Sequence, residues 1–248
     1  MPEPKGFKGL TKSAVDSVGL LDLAQETRKR LRRVQRRTDK YLRRVGVLRP
    51  APLVPPQAYQ AACEAALDLL RSRGHAPGDY IEFGVCQGTS MACMFHAAQH
   101  ANLPSLRLIG FDSFEGLPSE AANEHWEPGE FACPQEVAET NLRHAGVAMD
   151  QVQLVAGWFN ATLTEDTRRS LNLTRVSIAM VDCDIYSSSR DALAFLGPLI
   201  DDMAVIFFDD WGWRADADEI GQREAFAEFL DAHPAFHATE CDSYFHKS

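Results

Sequence analysis

Tyr80-Ile81-Glu82-Phe83-Gly84-Val85-Cys86-Gln87-Gly88-Thr89-Ser90 decides the fold. A short apolar run, Asp79–Gly84, breaks at a glycine, turns, meets a second glycine and runs into a helical pattern from Thr89 to Gln99. That is a buried strand followed by a tight turn and a helix start. Glycines allow the backbone to approach a ligand closely, and helix-start amides favour an anionic group. A dinucleotide fingerprint would read G-x-G-x-x-G; here the pattern is E-x-G-x-x-x-G, with Glu82 at the first glycine position. An acid there suits an ammonium group better than a pyrophosphate. The bland alternative is a turn with a purely structural task.

Outward from this turn the alternation continues. Residues 57–73 read as a helix before the first strand. Further strands are expected at 106–112, 152–156, 176–181 and 204–208. Helices are expected at 135–145, 165–171, 189–199 and 217–231, with room for one or two short strands at the end. A Gly/Pro/Glu-rich loop occupies 113 to about 133. Alternation of this kind predicts an α/β fold, a mostly parallel twisted sheet with helices on both faces. Continuous apolar strands fit burial from both sides. Ligands on such sheets sit at the carboxyl ends of the strands, so the residues there are the candidates.

After the second strand comes Asp112-Ser113-Phe114-Glu115-Gly116-Leu117-Pro118. A carboxylate at this place can accept both hydroxyls of a ribose; the alternative is a turn or cap acid. After the third comes Gly157-Trp158-Phe159, an aromatic pair that either walls an adenine or fills the core. After the fourth and fifth come Asp182-Cys183-Asp184-Ile185-Tyr186 and Asp209-Asp210. If these strands are neighbours, three or four carboxylates converge, and repulsion between them calls for a cation. Oxygen-only donors point to a hard ion, Mg²⁺ first, with Mn²⁺ or Ca²⁺ as alternatives. Scattered surface acids fit poorly, because both clusters directly follow apolar strands. His96 and His100 share one helical face without further ligands, and packing explains them better. His125 lies in the long loop as a candidate substrate contact. Ser187, Ser188 and Ser189 read as a helix start.

These blocks resemble, in order, the macrocin O-methyltransferase family, over about residues 57–248. The resemblance implies a Rossmann-like class I methyltransferase using S-adenosylmethionine and Mg²⁺ on a sugar hydroxyl. It implies a cofactor site of Glu82, Gly84, Gly88, Thr89, Ser90, Asp112, Ser113, Gly157 and Trp158. It implies a metal triad of Asp182, Asp209 and Asp210, with Asp182 also the catalytic base. The acceptor is expected to be a vicinal diol of a small, glycosylated molecule; a catechol-like diol satisfies the same geometry. A nucleotide-cofactor oxidoreductase is a rival that Glu82 argues against. A phosphohydrolase would not need Asp112 or the glycine turn. A degenerate scaffold would not keep a competent residue at each site position.

The 248 residues carry a net charge of −10, which hides a split. Residues 1–49 hold 14 Lys+Arg against 5 Asp+Glu, a balance of +9; the rest hold 11 against 30, a balance of −19. An acidic body repels phosphates, so no nucleic-acid partner is expected. Leu20, Ala24, Thr27, Leu31, Val34, Thr38, Tyr41, Val45 and Leu48 form a heptad seam, ended by the prolines at 50, 52, 55 and 56. This predicts a basic helical extension over residues 1–50, a methyltransferase domain over 51–248, and a homo-oligomer. Peripheral membrane contact through the basic helix would be weak. No apolar run reaches about 18 residues, so no membrane span is expected. Six cysteines without paired spacing and no signal-like start suggest reduced thiols in the cytoplasm.

Overall fold

In the computed structural model of the chain, residues 54–212 and 220–241 are described. Contacts divide the chain into two units, Met1–Pro50 and Ala51–Ser248, and the described elements all belong to the second. The expected basic helix lies outside the described residues. The elements in chain order are α1 (Pro56–Ser72), β1 (Asp79–Phe83), α2 (Thr89–His100), β2 (Leu108–Asp112), α3 (Gln135–His144) and β3 (Val152–Ala156). There follow α4 (Phe159–Thr162), α5 (Glu165–Ser170), β4 (Val176–Val181), α6 (Tyr186–Leu196), β5 (Val205–Phe208) and α7 (Gln222–Ala232). The five strands form one all-parallel sheet in the order β3-β2-β1-β4-β5. The strand order reverses between β1 and β4, which opens a crevice at their carboxyl ends.

The period of two in each strand divides the core. Tyr80, Leu108, Ile178 and Met180 pack under α1 and α2, against Leu67, Leu70, Met91 and Met94. Ile81, Phe83, Ile109, Phe111 and Val181 face the other way, toward Leu193, Leu196 and Phe229 of α6 and α7. Both faces are therefore covered, as the unbroken apolar runs require. Glu82 shares its strand face with Tyr80, and so points at α2.

Some local expectations change. Phe159–Thr162 makes an extra helical turn, because the Ala161, Thr162 and Leu163 amides bond back to Trp158 and Phe159 carbonyls. Helix α6 starts at Tyr186, three residues before the expected position, and α1 starts at Pro56, where a proline suits a helix's first turn. Residues 233–241 form no strand; residues 242–248 lie outside the described part. No helix among the described residues is long and apolar enough to cross a membrane.

Candidate functional site

The turn after β1 is shaped by what crosses behind it. Gly84 has φ +94°, and a Cβ placed there would lie 1.7 Å from the Asp182 carbonyl oxygen. Only glycine lets the ends of β1 and β4 meet. Gly88, at φ +78°, precedes α2, and its amide bonds the Val85 carbonyl at 2.8 Å.

Two acids anchor this turn in different ways. Glu82 is fully buried and accepts from the Tyr80 hydroxyl and the Ser90 hydroxyl, each at 2.6 Å. Its carboxylate thus ties β1 to the first turn of α2. Burial pushes its pKa up to about 7 against the pull of those two hydrogen bonds. Asp112 accepts from the Val85 and Cys86 amides on one oxygen, at 2.8 and 2.7 Å, and from the Phe114 amide on the other, at 2.6 Å. It clamps the glycine turn against the end of β2. Burial raises its pKa, opposed by the same three amides. Ser113 turns inward to the Gly116 carbonyl at 2.8 Å and shapes the start of the following loop. Thr89 is half-buried at the start of α2.

Of the aromatic pair, Phe159 goes to the core, edge-on to Phe83 at 6.0 Å. Trp158 is half-buried ahead of α4, beside Gly157, whose amide bonds the Asp112 carbonyl at 2.9 Å. Core packing thus accounts for Phe159.

On the other side of the crevice stand four acids. Asp182 follows β4, Asp209 and Asp210 follow β5, and Asp184 is bent into a left-handed conformation at φ +62°. That bend turns the Asp184 amide onto Asp210 Oδ2 at 3.2 Å. Burial, then the neighbouring Asp209, Asp210 and Asp184 charges, raise Asp182 well above the carboxylate range. Burial, then Asp210 and Asp209, do the same to Asp184. Burial and Asp209 push Asp210 up to about 7. Among the described residues no three His, Cys, Asp or Glu side chains converge into a ready-made metal cage. The donor chemistry nonetheless fits a hard divalent ion, since oxygen-only donors suit such an ion and a cation would relieve the repulsion between neighbouring carboxylates.

Two participants escape a reading of the sequence, and a third was open to it. The Tyr59 hydroxyl, from α1, donates to Asp209 Oδ1 at 3.0 Å across 150 residues, and no local pattern could reveal it. Gln222, buried at the start of α7, accepts from the Asp210 amide and donates to the Val181 carbonyl, both at 3.0 Å. Tyr80 was detectable, because it stands two residues before Glu82 and so shares its face. His125 sits after a 3₁₀ turn, Ser119–Glu124, and is exposed.

The macrocin O-methyltransferase (TylF) family model matches residues 13–235. The chain belongs to this family. Among its relatives, an "8-demethyl-8-(2,3-dimethoxy-alpha-L-rhamnosyl)-tetracenomycin-C 4'-O-methyltransferase" of Streptomyces olivaceus is 30 % identical over 153 residues, 58 % of this chain and 57 % of that one. The mycinamicin III 3''-O-methyltransferase of Micromonospora griseorubida is 26 % identical over 174 residues, 65 % and 63 % of the two chains. The chain thus spans a little over half the length of these relatives. Among solved structures, the O-methyltransferase NovP superposes with a TM-score of 0.61 at 20 % identity, over 78 % of this chain and 80 % of that one. The calicheamicin methyltransferase CalS11 superposes with a TM-score of 0.57 at 21 % identity, over 69 % and 71 %. Like these neighbours, this member of the macrocin O-methyltransferase family has the class I methyltransferase fold.

Proposed function

We infer that the chain is an S-adenosylmethionine- and Mg²⁺-dependent O-methyltransferase acting on one hydroxyl of a vicinal diol. The favoured acceptor is a sugar of a small natural product or glycoconjugate. The observation that carries this reading is the meeting, at one topological switch point, of an Asp112-clamped glycine turn with four mutually repelling carboxylates. Family membership supports it, as do relatives whose names specify O-methylation of glycosylated molecules. Six cysteines without paired spacing support a cytoplasmic setting.

When bound, S-adenosylmethionine supplies an electrophilic methyl group, and Mg²⁺ a Lewis acid that makes a diol hydroxyl more acidic. In this reading Gly84, Gly88, Thr89 and Ser90 form the backbone cradle for the methionine part. Glu82 acts on it by fixing Tyr80 and Ser90. Asp112 keeps one lone pair, on Oδ1, for a ribose hydroxyl after bonding three amides, with Ser113 beside it. Gly157 and Trp158 border the adenine. Asp182, Asp209 and Asp210 would hold the ion, and an oxygen of Asp182 would take the hydroxyl proton. The displacement is in line, so holding donor and acceptor in register supplies much of the rate.

The test begins with binding. S-adenosylhomocysteine should raise the melting temperature and NAD or NADP should not, by mass action on the folded state. Asp112→Ala should abolish that rise. With a labelled methyl donor and a panel of glycosides and catechols, EDTA should stop transfer and Mg²⁺ restore it. Asp182→Asn, Asp209→Asn and Asp210→Asn should each fold and be severely impaired. Equal stabilisation by NAD would sink the reading, undiminished transfer in chelator would remove the ion, and label on catechols alone would change the acceptor.

A further inference from the structure

The 113–133 loop starts at the cofactor side of the crevice and reaches across to the acids. At its start Asp112 Oδ1 accepts the Phe114 amide at 2.6 Å, and the Ser113 hydroxyl donates to the Gly116 carbonyl at 2.8 Å. The loop then folds back on itself, with the Leu117 amide on the Glu130 carbonyl at 2.9 Å and the Gly129 amide on the Leu117 carbonyl at 2.8 Å. Leu117 and Ala121 form a small buried cluster with Ile185, the residue after Asp184, and Trp126 and Phe131 pack on it. These two rings meet edge-on at 5.8 Å. One loop thus holds on to Asp112 at its root and to the neighbour of Asp184 farther along.

Glu124 adds a polar tie at the same place. Its carboxylate accepts from the Tyr186 amide at 2.6 Å, the Ser187 amide at 3.3 Å and the Ser187 hydroxyl at 2.9 Å. These donors open α6, directly after the acid-bearing segment Asp182–Asp184. Asp184 is bent to φ +62°, a conformation that a residue other than glycine keeps only where its surroundings hold it. Before the bend's far end, the Asp184 amide is held by Asp210 Oδ2 at 3.2 Å. Beyond it, the Ile185 amide turns back to the Cys183 carbonyl at 2.7 Å, and the next two amides are held by Glu124. A helix start is usually capped by the residue before it, but Ile185 has no side-chain oxygen to offer. The cap comes instead from the loop rooted at Asp112.

We propose that Glu124 is a positioning residue that joins the cofactor half of the crevice to the acid half, so that each ligand tightens the other. A ligand on Asp112 fixes the root of the loop. The fixed loop sets Ile185 through its apolar cluster and α6 through Glu124, and so holds the bend that presents Asp182 and Asp184. An ion on the acids fixes the same bend from the opposite side. Both ligands need one arrangement of the loop, so whichever binds first takes the cost of ordering it and the second does not. The coupling is reciprocal by thermodynamic necessity. Glu124 touches neither ligand in this scheme; it acts through the α6 amides. The proposal rests on the reading under Proposed function, which supplies the two ligands.

The test is a binding cycle on the full-length chain. Mn²⁺ binding is followed by electron paramagnetic resonance with and without saturating S-adenosylhomocysteine, and S-adenosylhomocysteine binding by calorimetry with and without saturating Mn²⁺. In the unaltered chain each ligand should tighten the other by the same factor, about fivefold or more. In Glu124→Ala, Mn²⁺ alone should bind about tenfold more weakly, and the mutual factor should fall toward one. Glu124→Gln keeps one acceptor oxygen and nearly the same shape; it should fall between, and it carries the test if the alanine variant unfolds. Ser177→Ala is the control for lost stability. It removes the hydroxyl that accepts the Gly78 amide at 2.7 Å, near the start of β4 and away from the crevice, and should leave the factor unchanged. Two ligands that bind without affecting each other overturn the proposal and leave the methyltransferase reading standing. A full factor in folded Glu124→Ala, or an equal loss of it in Ser177→Ala, overturns the part given to Glu124. A chain that binds neither ligand overturns the methyltransferase reading and the coupling with it.

Discussion

Glu82 and Asp112 are both strand acids beside one turn, yet they bind different kinds of donor. Glu82 takes two side-chain hydroxyls in full burial, and Asp112 takes three backbone amides at the rim. The sequence located both acids, because each ends or nearly ends an apolar run. It could not say that Glu82 would be fully buried, since that depends on Tyr80 and Ser90 closing over it. A titration should show the cost. The folded pKa of about 7 exceeds the ordinary 4.5, so the folded state keeps a proton that the unfolded chain releases. The stability that this proton lends is complete below pH 4.5 and is lost as pH rises toward 7, by roughly 3 kcal/mol at most. Glu82→Gln should flatten that part of the curve, as read from the difference in unfolding free energy between the two proteins across pH 4–8. Tyr59 poses a separate test. Tyr59→Phe removes the hydrogen bond that orients Asp209, and partners of ligating carboxylates typically matter about 10–100-fold for metal affinity. Mn²⁺ binding followed by electron paramagnetic resonance should weaken within that range, while the melting shift from S-adenosylhomocysteine stays as it was.

The elements were legible wherever local pattern decides them. The expected strands at 152–156 and 176–181 coincide with β3 and β4; in β4, which is buried throughout, burial from both sides leaves an unbroken apolar run. Helix α6 shows where local reasoning stops. Its serines suggest a cap, but the amides of Tyr186 and Ser187 are met by Glu124, at 2.6 and 3.3 Å, from 62 and 63 residues away. Ser187 instead donates its own hydroxyl to Glu124 at 2.9 Å. A carboxylate at a helix start also meets the positive end of the helix dipole. Glu124→Ala should therefore lower unfolding stability by about 1–2 kcal/mol, the usual worth of a helix cap. Urea denaturation would measure it, and Ser188→Ala should change little by comparison. The extra turn α4 was missed because four residues are too few to establish a period.

For the whole molecule, the charge split bears on assembly. A basic stretch of +9 with a heptad seam, attached to a body of −19, should draw copies of the chain together, because a lone helix of this kind is marginal in water. Light scattering on the full chain should give a dimer or larger, and deletion of residues 1–49 should reduce it to a monomer. An unchanged mass after deletion would take the seam out of the dimer contact. The site at this scale was legible as residues at strand ends; their convergence needed the strand order, which no single stretch contains. That order also governs how the chain is made. The middle strand, β1, pairs on one side with Leu108–Phe111 but on the other only with Val176–Val181, nearly a hundred residues later. Ribosomes lengthen chains at about 5–20 residues per second, so an apolar strand edge stands open for roughly 5–20 s of synthesis. Nascent chains that stop short of residue 176 should be sticky and protease-sensitive. Slow growth temperatures or a chaperone that holds that edge would then govern how much folded protein a cell yields.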